Sequence, residues 1–487
     1  MSTAARKLQR KRILRPMTTG RLPRLRLLLV LLLSIPLPVA GLLILRMTAP
    51  QEAVSFVFYL HRVLSVFYLL VGSFIILEAA PVFAARRRPT APVAELPPVT
   101  VLIPAYLPNE QDIILNTLHY VLSRLHVPQD KLQVILAYNT PHSLPVEAAL
   151  RRLAAGRPNL TVLRVPASRS KADNINAALP LVTGEVTLLL DADGSPEPDC
   201  FRKAWQDLSR GYDAVQGNCV VRNWQRNRMT RMVAVEYSYM YNVLHAGRFL
   251  LSGQGIFGGS NGYWRTAVLR QLGMNGAAMT EDIDISVRAV LAGFRLYHDP
   301  DIVATELAPV RFRHWWRQRT RWAQGWFQVT YRYQLPLWLS RKVPLSAKLH
   351  WTYTLLMGQI FPLMSMVLLS VFPASLLLGI PVPTDWLSIV STAVIVSTGP
   401  LVALAAYLRA PAAQRGRLSA WYLVYGLLCW LWAIFQNLIA LLGMANELMG
   451  SREWSVTPRG VGAQVSTFPA HPNRPRFEQS EATSASG

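Results

Sequence analysis

Three short runs in this chain carry residue types that chemistry needs. Asp191-Ala192-Asp193 follows the apolar Leu188-Leu189-Leu190. Two carboxylates after a buried strand can hold a hard divalent cation, which then binds a nucleotide diphosphate. Thr280-Glu281-Asp282 is a compact acidic group. A carboxylate there can take the proton of an attacking hydroxyl and stabilise oxocarbenium-like charge. Gln318-Arg319-Thr320-Arg321-Trp322 joins an amide, two guanidiniums and an indole shortly before a long apolar region. Amide and guanidinium hydrogen-bond sugar hydroxyls and diphosphate oxygens, and the indole offers a flat face to a sugar ring. The three together point to sugar transfer at a membrane surface, with Asp282 as the base and Glu281 beside it.

Each run also has a plainer explanation. An aspartate pair is often a solvated turn. Thr280 can cap a helix over residues 281–291, with both acids favoured by its dipole. Trp and Arg anchor interfacial helices. Two further segments are equally double-edged. Ser170-Lys171-Ala172-Asp173-Asn174-Ile175-Asn176 offers Lys171 to a phosphate and Asn176 to a sugar or ribose, or is an exposed cation at a helix cap. Phe257-Gly258-Gly259-Ser260-Asn261-Gly262 lets a ligand approach the backbone closely, or is an ordinary turn.

The elements that must position these groups follow from the apolar pattern. Short β-rich runs at 99–103, 132–137, 160–165 and 186–190, with a helical run at 111–123, predict βαβ units and a mainly parallel sheet. Ligands bind beyond the carboxyl ends of such strands, which is where Asp191 and Asp193 fall. A Pro- and Ala-rich linker at 89–98 precedes the sheet. Residues 27–45 and 57–83 predict two membrane helices, and blocks 351–380, 386–408 and 420–442 predict more. Residues 335–348 are amphipathic and suit the interface. Arginines 86–88, 409, 415 and 417 mark cytoplasmic flanks.

The net charge of +23 over 487 residues would suit nucleic acid or an anionic membrane. A mean hydropathy of +0.23, the flanking of apolar runs by basic residues and the lack of a nucleic-acid motif select the bilayer and exclude nucleic acid. Cys200, Cys219 and Cys429 are too far apart for a disulfide framework or a zinc site, and read as buried thiols. The stretch 27–45 is long for a signal core and contains Pro36 and Pro38, so it reads as a retained helix.

In chain order, Val101-Leu102-Ile103-Pro104-Ala105-Tyr106, Asp191-Ala192-Asp193, Val215-Gln216-Gly217, Thr280-Glu281-Asp282 and residues 318–322 resemble the motifs of family 2 membrane glycosyltransferases. The nearest group is the processive one, the cellulose, chitin, hyaluronan and poly-N-acetylglucosamine synthases. The resemblance covers residues 99–322, with apolar segments on both sides. It implies an α/β, Rossmann-like mixed-sheet domain of the GT-A type inserted between transmembrane helices. That domain would face the cytoplasm at the cell membrane and use UDP-glucose or UDP-N-acetylglucosamine with Mg²⁺ or Mn²⁺. By position, Asp191 and Lys171 would meet the nucleotide, Asp193 the metal and diphosphate, and Gln318 and Arg321 the diphosphate. Asp282 would be the base and Trp322 would stack on the acceptor.

The same resemblance divides the chain into a basic N-terminus with two spans (1–96), a catalytic domain (97–310), an acceptor motif with interfacial helices (311–350), C-terminal spans (351–449) and a gating segment with a tail (450–487). Trp454-Ser455-Val456-Thr457-Pro458-Arg459 resembles the gating segment. Three C-terminal spans would leave it outside, so one block is expected to be re-entrant or split, with 351–380 and its Pro362 and Pro373 the candidate. Two departures stand out. Asn139 occupies the position where an aspartate usually reads the base, and Leu107-Pro108-Asn109-Glu110 lengthens the first-strand motif. The resemblance implies a growing β-linked polysaccharide as acceptor, with an accessory export subunit as a further partner, or alternatively a membrane lipid that receives one sugar. A transporter or scaffold with a degenerate transferase domain is opposed by the complete acidic set, because clustered carboxylates without partners are costly.

Overall fold

The computed structural model describes residues 15–16, 22–84, 95–451 and 453–454. Helices α1 (Leu22–Ser34), α2 (Pro36–Thr48) and α3 (Pro50–Ala84) come first. The predicted single helix over 27–45 is therefore broken. Ile35 leaves the helical region at φ −123° and ψ −69°, because Pro36 has no N–H and crowds the residue before it.

The main sheet has eight strands: β1 (Val99–Tyr106), β2 (Leu132–Asn139), β3 (Leu160–Arg164), β4 (Val186–Leu189), β5 (Ser195–Pro196), β6 (Ala214–Val221), β7 (Gly262–Arg265) and β8 (Leu296–Glu306). Their spatial order is 3-2-1-4-7-6-8-5. The four strands expected from the sequence form the parallel half, β3-β2-β1-β4. The other half is mixed, because β7 runs antiparallel to both β4 and β6. Along β1, Val99, Val101, Ile103 and Ala105 enter one core and Leu102 the other. Alternate side chains face opposite sides, so a strand covered on both faces reads as a continuous apolar run.

Four helices carry site residues or brace them: α4 (Ile114–Arg124), α5 (Lys171–Ala178), α6 (Arg228–Tyr239) and α7 (Glu281–Ala292). Then α8 (Phe312–Leu339) runs unbroken through residues 318–322, and α9 (Leu345–Leu377), α10 (Trp386–Arg409) and α11 (Ala412–Leu448) follow. Five stretches, Leu25–Thr48, Pro50–Phe83, Leu345–Leu377, Trp386–Arg409 and Ala412–Leu448, are long and apolar enough to cross a bilayer. Large side chains such as Leu70, Leu376, Trp386 and Leu423 are exposed on them, as helices facing lipid require.

The break in the C-terminal helices is not where the prolines suggested. Residues 353–357 form a π turn, but the helix continues through Pro362 and Pro373. It is α11 that bends, at Leu428 (φ −111°, ψ 17°). Before the bend α11 packs on α10 through Gly426 against Gly399 and Ala403. After it, α11 lies along α8, with Trp432 against Trp315 and Glu447 accepting from Gln324 and Gln328 at 3.0 and 2.6 Å. The start of α11 touches β6 of the sheet, since Gln414 donates to the Val221 carbonyl at 2.8 Å. The end of α11 lies at α8, and the chain at Ser451 is held by Gln324 at 2.6 Å. The gating-like run 454–459 lies outside the described residues apart from Trp454, whose backbone pairs with Pro16.

Candidate active site

A cavity of about 440 Å³ opens beyond the carboxyl ends of β1 and β4, between the sheet and α8. Nine of the residues singled out from the sequence line it: Asn139, Lys171, Asp191, Asp193, Glu281, Asp282, Gln318, Arg321 and Trp322. They come from five separate segments, so only the fold brings them together.

Asp191 and Asp193 leave the buried end of β4. Asp193 is held from both sides of its residue. Its Oδ2 accepts the Leu307 N–H at 3.1 Å, and its carbonyl accepts from Arg222 at 2.5 Å. Lys171, the first residue of α5, reaches over to Asp191 at 2.5 Å and to the Gly259 carbonyl at 2.6 Å, and Glu281 is 3.8 Å from it. Ser170 caps α5 by accepting from the Asp173 N–H at 3.1 Å, which fixes where Lys171 begins its reach. Asn176 is not part of the site. Its amide is closed on both groups of Met274, at 2.8 Å each. The asparagine of this helix that lines the cavity is Asn174, which donates to Asn139 Oδ1 at 2.9 Å and to the Ala105 carbonyl at 3.0 Å. Asn139 in turn donates to the Ser168 carbonyl at 3.3 Å.

The glycine-rich run is a built loop. Gln216, from Val215-Gln216-Gly217, accepts from the Gly258 N–H at 2.8 Å and donates to the Ser260 carbonyl at 3.0 Å. Gly259 has φ +93°, and a Cβ there would lie 2.9 Å from Asp282 Oδ2, so glycine serves both the conformation and the clearance. Asn261 holds φ +54°, an uncommon conformation, with its amide donating to the Asn218 and Ile302 carbonyls at 3.1 Å each.

Thr280 sits at the start of α7, but its side chain makes no capping bond. It packs instead against Gly325 of α8. Glu281, Asp282 and Asp284 occupy the first turn. Asp284 is fully buried among Arg288, Asn275 and Tyr333 and faces away from the cavity. Asp282 and Glu281 face into it. Burial and the neighbouring Glu281 charge push the Asp282 carboxyl up to about 7, against the pull of Lys171, the Ile283 N–H and Arg321. Burial lowers the affinity of Lys171 for its proton, but Asp191, Glu281 and Asp282 outweigh it and hold the ammonium above its usual range. Arg321 is lowered by burial although the same acids oppose that.

On α8, Arg321 donates to the Met279 carbonyl at 3.0 Å and so ties this helix to the turn that carries Asp282. Gln318 Oε1 is buried with no hydrogen bond among the described residues. A buried amide oxygen without a partner is costly, which suits a group that awaits a ligand. Trp322 lines the cavity with the Arg319 guanidinium 4.0 Å from its ring centre.

Several cavity residues were not anticipated. Tyr237, Met240, Tyr241 and His245 come from α6 and the π turn that follows it, Met240–His245. Such turns recur at functional sites, but nothing in residue order announces one. Asn109 and Glu110 also line the cavity, because residues Leu107–Glu110 coil into a single helical turn. That turn absorbs the extra length of the first-strand motif. Glu306, at the end of β8, is raised by burial and by the Asp191 charge. Among the described residues no three His, Cys, Asp or Glu side chains converge in a metal-holding cluster.

Residues 97–325 match the family described as Glycosyltransferase like family 2. The probable glycosyltransferase YdaM of Bacillus subtilis is 27% identical over 243 residues, covering 47% of this chain and 56% of that protein. Poly-beta-1,6-N-acetyl-D-glucosamine synthase of Staphylococcus aureus is 24% identical over 282 residues, covering 57% of this chain and 66% of that protein. The chain thus matches less than two thirds of either relative's length. A solved structure of the mannosyltransferase PcManGT from Pyrobaculum calidifontis, in complex with GDP-Man and Mn²⁺, aligns over 80% of this chain and 98% of its own with a TM-score of 0.52 and 22% identity. That likeness shows the fold. The sheet and its cavity define a glycosyltransferase domain of the GT-A class. Residues 97–325 are a glycosyltransferase family 2 domain.

Proposed function

We propose that the chain is a membrane-embedded, inverting hexosyltransferase. It moves a sugar from UDP-N-acetylglucosamine or UDP-glucose onto a growing β-linked polysaccharide, with the domain at 97–310 on the cytoplasmic side. The observation that carries this reading is the convergence of the nine residues in one cavity beside α8. The Staphylococcus relative, a poly-N-acetylglucosamine synthase, supports a polymer product, and the five apolar helices support a multi-pass membrane protein.

In this reading the donor's base lies toward Asn139 and Asn174, and its diphosphate between Lys171 and Asp191 on one side and Gln318 and Arg321 on the other. The acceptor sugar rests on Trp322. Asp282 takes the proton of the acceptor hydroxyl as that oxygen attacks the anomeric carbon and the bond to the diphosphate breaks. Its raised proton affinity suits a base working near neutral pH, and Glu281 supplies part of the rise. A hard divalent cation, Mg²⁺ or Mn²⁺, fits the oxygen donors. Asp193 would hold it with Asp191 nearby, and the donor's phosphates would complete its shell, as such ions with few protein ligands require. When bound, the cation neutralises charge on the leaving diphosphate.

Membranes carrying the protein, given labelled UDP-N-acetylglucosamine or UDP-glucose, should yield a ladder of long products. A single labelled glycolipid would replace the polymer with one-step transfer to a lipid. Asp282→Asn should lower turnover by roughly 10²–10⁴-fold, and unchanged transfer in folded protein removes Asp282 as the base.

A further inference from the structure

Within residues 318–322, Arg319 and Thr320 do not line the cavity, and Arg319 is the cation of the run that the reaction scheme leaves without a task. It is 5% exposed. One face of its guanidinium lies over the Trp322 indole, 4.0 Å from guanidinium carbon to ring centre. Its Nη2 donates to Glu236 Oε2 at 2.9 Å. Nε and Nη1 make no hydrogen bond among the described residues. The group therefore offers one ion pair and one close ring contact, with the Tyr237 ring centre further off at 5.8 Å.

Glu236 is the hub behind it. The same Oε2 accepts the Trp315 indole N–H at 3.3 Å, and Oε1 accepts from Gln436 at 2.9 Å. Trp315 belongs to α8, Glu236 to α6 and Gln436 to the part of α11 beyond its bend. Three helices thus meet on one carboxylate, and that carboxylate aims the cation that backs Trp322. An indole held this way loses the rotameric freedom it would otherwise have to give up on binding a sugar.

We propose that Arg319, anchored by Glu236, is a positioning residue that holds Trp322 flat for the acceptor sugar. The inference rests on the reading of Trp322 as the acceptor platform. It makes the geometry of acceptor binding depend on α6 and α11 as well as on α8. Lysine cannot replace arginine here, because an ammonium has no planar face to stack.

The test is a double-mutant cycle on the full chain in membranes, with UDP-N-acetylglucosamine as donor and short β-linked N-acetylglucosamine oligosaccharides as acceptors. Arg319→Lys keeps the buried charge and so guards against misfolding, which far-UV circular dichroism checks. It should raise acceptor KM by about tenfold, the scale of a desolvated cation–π contact. Products should shorten while donor KM holds. Glu236→Gln should move the same quantities in the same direction. In a Trp322→Ala background, Arg319→Lys should add nothing. Normal acceptor KM and product length in Arg319→Lys, with Trp322→Ala impaired, overturns the positioning role alone. Additive effects of the two changes overturn it too, since Arg319 would then act by another route. Acceptor binding untouched by Trp322→Ala overturns the platform reading itself, and this inference with it.

Discussion

Glu281→Gln should make the enzyme better at acid pH. Asp282 takes up its proton at about 7, raised first by burial and next by the Glu281 charge. A base works only when ionised. The sign follows: kcat/KM rises as pH passes upward through about 7 and then levels off. One unit below that midpoint, roughly a tenth of the carboxylate is ionised, so wild-type kcat/KM near pH 6 should be about a tenth of its plateau. Replacing Glu281 by an amide of the same shape removes the charge that disfavours ionised Asp282. It also removes one of the carboxylates that share Lys171, which lies 3.8 Å from Glu281 and stays bonded to Asp191. Both effects move the acid limb to lower pH. Because a tenth of the base is already active, the gain near pH 6, taken relative to each enzyme's own plateau, is bounded at about tenfold. The assay is the initial rate of labelled sugar transfer at low donor concentration between about pH 5 and 9, where kcat/KM reports the free enzyme. A wild-type limb in the ordinary carboxylate range, or an upward shift in Glu281→Gln, would refute the argument from burial and charge.

Two further outcomes test other parts of the site. Gly259→Ala and Gly253→Ala impose similar backbone strain, with φ of +93° and +70°, at about 1–2 kcal/mol each. Only the first puts a Cβ within 2.9 Å of Asp282 Oδ2, while the second meets nothing within 4 Å, so kcat should fall in Gly259→Ala and hold in Gly253→Ala; equal losses would discard the clearance argument. Chelation should stop turnover and Mg²⁺ or Mn²⁺ restore it, with Asp193→Asn needing more metal for half-maximal rate, and full activity in chelator would reject the diphosphate–metal arrangement.

The parallel half of the sheet was legible because β1, β2 and β4 are covered on both faces and read as unbroken apolar runs. The antiparallel half was not, since β7 is four residues long and its partners are chosen by packing. Asp191 and Asp193 were legible from the strand they end. Asn176 was misleading because it and Asn174 are the same residue type two positions apart on α5, and only the turn of the helix decides which one faces the cavity. Thr280 was read as a cap by residue type, yet its neighbour across the fold, Gly325, takes the side chain.

Residue types and their order alone established the carboxylates, cations and indole available for sugar transfer, and the apolar stretches beside them, because such signals are local. The tertiary structure alone decided which acids of the α7 turn face the cavity, Glu281 and Asp282 but not Asp284. It also decided that α11 bends at Leu428 to run along α8, and that Arg319 turns away from the cavity to stand behind Trp322. Those outcomes depend on contacts between segments far apart in the chain, as with Glu236 and Gln436, 200 residues apart. No periodicity or propensity within a single segment carries that information.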